Sequence, residues 1–295
     1  MMHGCPACGG RRFDATQPVT GVVEHRCVDC GLLIGELQRS GPVTAEFERV
    51  DEARYLRAVG AARRRQARPI LELLRQHAAP GATVLDVGCS FGFFLQAARD
   101  AGFKVRGVEP DPQAWRHATA LLGEGVVEHG WFRGDDEGVA EVIVTLDVLE
   151  HVPVAEHDRF GRSIRRSLAP GGVWVTKVPS TDGLYYRLSR RAARVAPRIG
   201  ETLLRRIWQT EYEYPHTVYF NHSSLVRWLE RHGFELLTSL HLPEVPFGTA
   251  VERLTTDGAI GPWTARLLAP GLYAVTAIDA LRRRSDALVA IARPT

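Results

Sequence analysis

Three groups of residues in this sequence have types and spacing suited to chemistry. Asp147, Glu150 and His151 stand within one short stretch. Two carboxylates and an imidazole there could take a proton from an attacking oxygen or nitrogen, or hold a divalent cation. A brace that keeps a neighbouring pocket closed is the third reading of Glu150 and His151. Upstream, Asp86-Val87-Gly88-Cys89-Ser90-Phe91-Gly92 places a carboxylate before a glycine turn. Gly88 lets the chain turn sharply and lets a ligand approach the backbone. Asp86 can hold a cationic amine directly, or orient the loop through a water. Glu109 follows about twenty residues later, where an acidic residue at a strand end can take both hydroxyls of a ribose. The full G-x-G-x-x-G spacing is absent, which argues against a dinucleotide with its pyrophosphate.

The third group is Cys5-x2-Cys8 and Cys27-x2-Cys30, with eighteen residues between the pairs. Two thiolates two residues apart can face one ion from a tight turn, and four complete a tetrahedral shell. Such a closed set marks a structural zinc site. Arg12-Phe13-Asp14 and Val22-Val23-Glu24 alternate like short strands, so residues 1–40 are expected to be a zinc ribbon. Metal binding would supply much of the folding energy of so small a unit. His3 and His25 are spare ligands that nothing requires. The ribbon is expected to be a structural appendage, outside the chemistry.

The remaining elements must position the first two groups. Ser40-Gly41-Pro42 is a plausible linker, and Ala45 to about His77 favours helix, with Pro69 expected to begin a second one. After Pro80 the rhythm changes. Strands are predicted at Thr83–Val87, Lys104–Glu109, Gly125–Glu128, Glu141–Leu146 and Val173–Val178. Helices are predicted at Phe91–Ala101, Pro112–Leu122 and Ala155–Leu168. Such alternation predicts an α/β fold with a parallel sheet and helices on both faces. A basic segment at 182–210 interrupts it, with Pro197 expected to split two helices. A helix at Asn221–His232, capped by Asn221 or Ser223, then precedes strands at Phe234–His241 and Ala287–Arg293. Residues 246–284 read as an insertion with Pro246, Pro262 and Pro270 as breakers.

LDVGCSFGFF, GVEPD, VTLDVLEHVP and LAPGGVWVTKVPS occur in order over residues 84–180. Together they resemble the successive motifs of class I S-adenosylmethionine (SAM)-dependent methyltransferases. PHTVYFNHSSLVRWLERHGFE resembles the substrate-side helix and following strand of the same family. The resemblance covers roughly residues 45–295, and it is nearest to small-molecule O-methyltransferases such as those of ubiquinone biosynthesis. It implies a Rossmann-like seven-stranded sheet whose last strand is antiparallel. It places Asp86, Gly88, Cys89, Ser90, Gly92 and Phe93 around the methionine part of SAM, with Cys89 read as packing. Glu109 would take the ribose, with Pro110 and Asp111 beside the adenosine. His129, Gly130 and Trp131 fall near the adenine, and Leu146, Asp147 and Val148 next to the methyl. Some relatives bind a divalent ion through an acidic-x-x-Glu-His set, so Mg2+ at Asp147, Glu150 and His151 is one expectation. Residues 41–295 would form the methyltransferase domain, with a helical cap (45–78) and substrate-lid insertions (182–215, 246–284). His216 is a second candidate base among the aromatics of the lid.

A length of 295 residues, 45% hydrophobic and 24% charged, is that of an ordinary soluble protein. The net charge of +3 demands no nucleic-acid partner, although arginines cluster at 54–68, 187–206 and 282–284. No apolar run approaches the roughly 18 residues of a bilayer span, and the start lacks a basic-then-apolar leader. A cytoplasmic location is therefore expected. Methyl transfer to a small molecule, at oxygen, is the leading expectation. An RNA methyltransferase gripping RNA with the ribbon and arginines is the alternative. Against it, the strand carrying Asp147 lacks an Asn/Asp-Pro-Pro-aromatic signature. A SAM-binding assembly protein is a third, non-enzymatic reading.

Overall fold

The computed structural model describes residues 4–37, 52–135, 137–210, 212–255 and 260–295. His3, the expected linker at 40–42 and the start of the helical cap (45–51) lie outside the described residues.

Among the described residues, seven strands make the main sheet, in the order β10-β11-β8-β7-β4-β5-β6. They are β4 (Thr83–Val87), β5 (Lys104–Glu109), β6 (Val127–His129), β7 (Ala140–Leu146), β8 (Leu168–Pro179), β10 (Phe234–Leu242) and β11 (Ala287–Pro294). β4 to β8 pair in parallel, whereas β11 runs antiparallel to both β8 and β10. This is the α/β methyltransferase sheet that the sequence led us to expect, with the last strand antiparallel. Strand order reverses at β4, where β5 lies to one side and β7 to the other. A crevice for ligands opens beyond the strand C-termini at such a point.

β11 is apolar in an unbroken run from Ala287 to Ala292 because both faces of the sheet are covered there. On one face Leu85, Ile143, Trp174 and Ala290 pack with Trp228 and Phe234. On the other, Val84, Val142, Val175 and Val289 meet Ile70 and Leu74 of α1 (Glu52–Leu74) and Phe94 of α2 (Phe93–Asp100). Each large side chain buried in this way contributes about 2–3 kcal/mol relative to exposure. α3 (Pro112–Leu122) begins at Asp111, whose carboxylate accepts from the Gln113 and Ala114 amides. α4 (His157–Ser167) leads into β8. α7 (His222–Arg231) is capped by Asn221 in a reciprocal bond with Ser224.

Two proline expectations fail. Pro69 lies inside α1 and Pro270 inside α9 (Pro262–Leu281); neither ends its helix. The cost of each lost amide bond is offset by packing on either side, at Ala67, Ile70 and Leu71 in α1 and at Ala265 and Ala269 in α9. Pro262 and Pro197 do begin helices, Pro197 dividing α5 (Leu184–Val195) from α6 (Pro197–Trp208). α8 (Ala250–Thr255) is a short turn of helix before α9.

The N-terminal strands β1 (Phe13–Val19), β2 (Val22–Cys27) and β3 (Leu33–Leu37) form an antiparallel sheet. Its edge is completed by β9 (Val218–Tyr219), which pairs with β3 through Leu33↔Tyr219 and Ile34↔Val218. Cys5, Cys27, Cys30 and Leu32 belong to the same apolar cluster as Leu225 and Trp228 of α7. The N-terminal strands are therefore continuous with the segment that follows His216, and do not stand apart from it.

Candidate functional site

Left-handed backbone shapes the loop after β4: Gly88, Ser90 and Gly92 have φ of 71°, 50° and 78°. The Gly88 and Cys89 amides both donate to the Val108 carbonyl, at 2.8 and 3.2 Å, and tie the loop to β5. A Cβ on Gly88 would come within 2.9 Å of Val148, so only glycine keeps this approach open. Glu109, buried at the end of β5, accepts from the amides of Ser90 (2.7 Å) and Asp111 (2.8 Å). One carboxylate thus ties the loop after β4 to the start of α3. Asp86 is buried, and its Oδ1 finds no hydrogen-bond partner among the described residues. Burial, then the nearby Glu109 charge, pushes its carboxyl well above the usual range, with Arg63 opposing. An amine cation would satisfy that oxygen and restore its charge. The residues present therefore fit the amino-acid and ribose portions of SAM.

Other expected neighbours of the crevice have specific local roles. Cys89 packs among Leu95, Ala118, Leu122 and Val127, and burial raises its thiol far above the normal value. Phe93 opens α2 and stacks with Phe91 at 6.3 Å. Asp111 caps α3. His129 stacks on Trp115 at 4.8 Å and its Nε2 lies 3.1 Å from the Pro110 carbonyl. The Gly130 amide donates to Glu109's carbonyl, and exposed Trp131 meets Tyr214 edge-on at 5.4 Å.

Leu146 ends β7, and Asp147 follows with φ of 59°. Its carboxylate binds the Lys177 ammonium at 2.7 and 2.9 Å and the Arg63 guanidinium of α1. Lys177 is fully buried and also holds Glu244 at 2.7 Å. Burial alone would raise the Asp147 carboxyl, but Arg63 and Lys177 together outweigh it and hold the group far below the usual range. The expected Mg2+ set of Asp147, Glu150 and His151 does not assemble, because Asp147 is committed to these two cations. Arg63, Lys177 and Glu244 carried no signal of periodicity or motif role in the sequence. Lys177 lies within a recognisable motif but reads there as an ordinary strand residue.

Glu150 and His151 form a 3-10 turn (Leu149–His151) beyond β7. Here the structure brings His216 in: the two imidazoles lie 4.7 Å apart, centre to centre. A ligand atom of each of Glu150, His151 and His216 falls within 4.8 Å of the others. The tautomers follow from the partners. His151 Nδ1 is 2.8 Å from the Tyr214 carbonyl, which can only accept, so Nδ1 carries the hydrogen. The Tyr219 hydroxyl donates to the Ile207 carbonyl (2.7 Å), so at 2.8 Å it must accept from His216 Nδ1. Each ring is thereby left with a basic Nε2. Burial lowers the pKa of both: His151 below its usual value, and His216, with His151 beside it, much further. Both are neutral at pH 7. Both Glu150 oxygens are buried without a hydrogen-bond partner among the described residues. Burial, then Asp147, pushes the Glu150 carboxyl well up.

The wall carrying this trio is assembled from distant segments. Thr217 donates from its amide to the Glu150 carbonyl (2.7 Å) and from its hydroxyl to the Val152 carbonyl (2.8 Å). The Thr217 carbonyl in turn accepts from Gly35 of β3 at 2.9 Å. Asn221 donates to the Cys30 carbonyl at 3.1 Å. Buried Glu24 of β2 accepts from the Tyr186 hydroxyl, the Trp208 indole and the Arg190 guanidinium. The N-terminal unit is thus bonded directly to the strand, the helices and the loop that hold His151 and His216.

The four cysteines converge, with Cys5–Cys30 and Cys8–Cys27 sulfurs each 3.5 Å apart and the whole set within 4.8 Å. A tetrahedron with metal–sulfur bonds of about 2.3 Å has edges of about 3.8 Å, so the donor set fits one zinc ion. The hydrogen bond between Cys5 and Cys30 holds the Cys5 thiol below its usual value and the Cys30 thiol above it.

The model of a family described as a methyltransferase domain matches residues 59–239. An "uncharacterized methyltransferase" of Mycobacterium sp. strain KMS is 32% identical over 143 residues, 47% of this chain and 56% of its own length. One of Mycobacterium avium strain 104 is 31% identical over 180 residues, covering 56% and 70%. The chain spans about half the length of most of the curated relatives it matches. A chain from the solved complex of the Haloferax volcanii Trm112 methyltransferase activator with a methyltransferase is 18% identical. It superposes with a TM-score of 0.54, over 82% of this chain and 95% of that one. That likeness is one of fold.

Proposed function

The chain belongs to the methyltransferase-domain family, and on that premise we propose that it transfers a methyl group from SAM to a small-molecule acceptor, at oxygen. The observation that carries the SAM half is the buried, unpartnered Asp86 oxygen beside the Gly88 turn and Glu109. SAM presents an amine and a ribose to these groups, and its sulfonium supplies an electrophilic methyl. Gly88 leaves room for the ligand, Glu109 orients the loop, and Lys177 with Arg63 keeps Asp147 ionised at the end of β7.

The oxygen half rests on the two neutral histidines. A hydroxyl nucleophile must lose its proton as it attacks, and His151 Nε2 is a base that is unprotonated at neutral pH. His216, with its much lower basicity, is suited to hold His151 or an acceptor hydroxyl. Holding the acceptor in line with the methyl removes much of the entropic barrier. We read the cysteine cluster as a structural zinc ribbon.

The RNA alternative gains little. Arg133, Arg159, Arg162, Arg165 and Arg166 line a cleft of about 530 Å3 with Asp135. α4 runs into the start of β8, at the end of the strands opposite the crevice.

Titration calorimetry tests the reading. Wild type should bind SAM, and Glu109→Ala should weaken binding by about tenfold or more, the loss of charge-assisted hydrogen bonds. A wild-type protein without SAM affinity overturns it.

A further inference from the structure

α9 is apolar nearly all round, yet one face of it is bare. A helix of this kind belongs in a core or against a non-aqueous phase. Its inner face is well used. Ala265 and Ala269 are buried, the Tyr273 hydroxyl accepts from the Ala250 amide, and Thr276 donates to the Val245 carbonyl. The outer face carries Trp263, Leu267 and Leu281, which are 78%, 82% and 86% exposed, with half-exposed Leu268 and Ile278 between. Trp263, Leu267, Ile278 and Leu281 recur at helical spacing, along a helix about 30 Å long. Large side chains so exposed along one stripe mark a contact surface.

The charges on this helix are one-sided. No exposed position of α9 is acidic. Arg266 lies over the Trp263 ring at 5.0 Å, and Arg282, Arg283 and Arg284 follow the last turn. The one carboxylate, Asp279, is buried, accepts from the Leu184 amide at 2.7 Å and pairs with Arg282 at 3.3 Å. It anchors α9 to α5, whose own exposed positions alternate Leu188 and Val195 with Arg187, Arg191 and Arg194. A second copy of this face would set arginines against arginines, so self-pairing lacks charge complementarity. Anionic headgroups above an acyl layer supply both complements, the negative charge and the apolar depth. No helix among the described residues is long and apolar enough to cross a membrane. The buried Asp279 and the packed inner face fix α9 as a helix that lies on the surface.

We propose that the outer face of α9 is a docking surface for an anionic lipid bilayer, with its apolar stripe inserted among the acyl chains and Arg266, Arg283 and Arg284 on the headgroups.

Flotation of the full chain with vesicles tests this. Vesicles of phosphatidylcholine alone should capture little protein. Those containing one-third phosphatidylglycerol should capture most of it at low salt and less at high salt. Leu267→Ser with Leu281→Ser should lower the partition coefficient by about tenfold or more. Replacing Arg283 and Arg284 by glutamine should weaken the preference for phosphatidylglycerol. SAM affinity should be unchanged in both variants, which shows that they are folded. The proposal is overturned if wild type ignores anionic vesicles or if the double leucine variant still floats with them. It is equally overturned if wild type is a dimer that this variant dissociates, with no lipid binding in either.

Discussion

The two walls of the crevice are built in opposite ways. The wall of Asp86, Gly88 and Glu109 comes from two neighbouring strands and the loop between them, within one stretch of chain. Its parts hold one another: Glu109 takes the Ser90 amide and Val108 takes those of Gly88 and Cys89. The wall of Glu150, His151 and His216 adds to its local 3-10 turn the support of distant segments. Its loop is held by Thr217, Thr217 by Gly35, and the start of α7 by the Cys30 carbonyl. A self-contained wall can serve many acceptors unchanged, whereas a wall pieced together from distant segments can be exchanged to fit one. The difference ties the N-terminal unit to the wall of Glu150, His151 and His216, where the sequence alone led us to expect a structural appendage.

The strongest way to break this contrast is to remove the proposed zinc. Cys30→Ser, or prolonged chelation, should abolish methyl transfer while the SAM dissociation constant stays within about threefold, because structural zinc supplies on the order of 10 kcal/mol to its unit. Equal loss of SAM binding would show that the walls are not separable. A smaller effect is expected from the base. His151→Ala should lower kcat by about 10²–10⁴ and leave SAM affinity intact. Because burial holds the His151 pKa below 6.5, the wild-type rate should rise with pH through a value below 6.5 and then level off. A rate that instead falls as pH rises through 6–7 would exclude a neutral histidine base.

The smallest expected effect sharpens the contrast by pH. His157 is buried between the walls' supports, accepting from the Trp228 indole and contacting the Val152 carbonyl, with its pKa lowered by burial to about 4. The folded state keeps it neutral, whereas the unfolded chain takes a proton near 6.5. Its stabilisation is therefore fully present above pH 6.5 and is lost as pH falls toward 4. Between pH 7 and pH 5 the loss from this one residue is about 2 kcal/mol, measurable as a lower urea midpoint. A His157→Gln variant should flatten that dependence.

The same contrast explains what the sequence disclosed. Elements of the first wall were legible because their signals are local: β4 and β5 begin and end as expected, and the glycine loop lies between a strand and a helix. The cysteine spacing was equally plain. The second wall was legible only in part. His151 and His216 could each be named as bases, but nothing in the chain order says that they meet. The cations that neutralise Asp147, Arg63 of α1 and Lys177 of β8, come from separated elements and leave no periodic trace. The prolines misled for a related reason. At Pro69 and Pro270 a local rule met long-range packing, and the packing prevailed.

The pairing of β3 with β9 has a consequence for how the molecule forms. Leu33 and Ile34 precede their partners Tyr219 and Val218 by a long stretch of chain. Closing so large a loop is slow compared with pairing β4 to β5. β3 is thus among the last strands to be completed, and the wall of His151 and His216 matures after the rest. Pulsed amide exchange during refolding should show Gly35 protected later than the Val84–Val87 amides, since its hydrogen bond waits for Thr217. A ribbon that folds early would then present an unpaired β-strand edge to solvent until its own chain arrives to cover it.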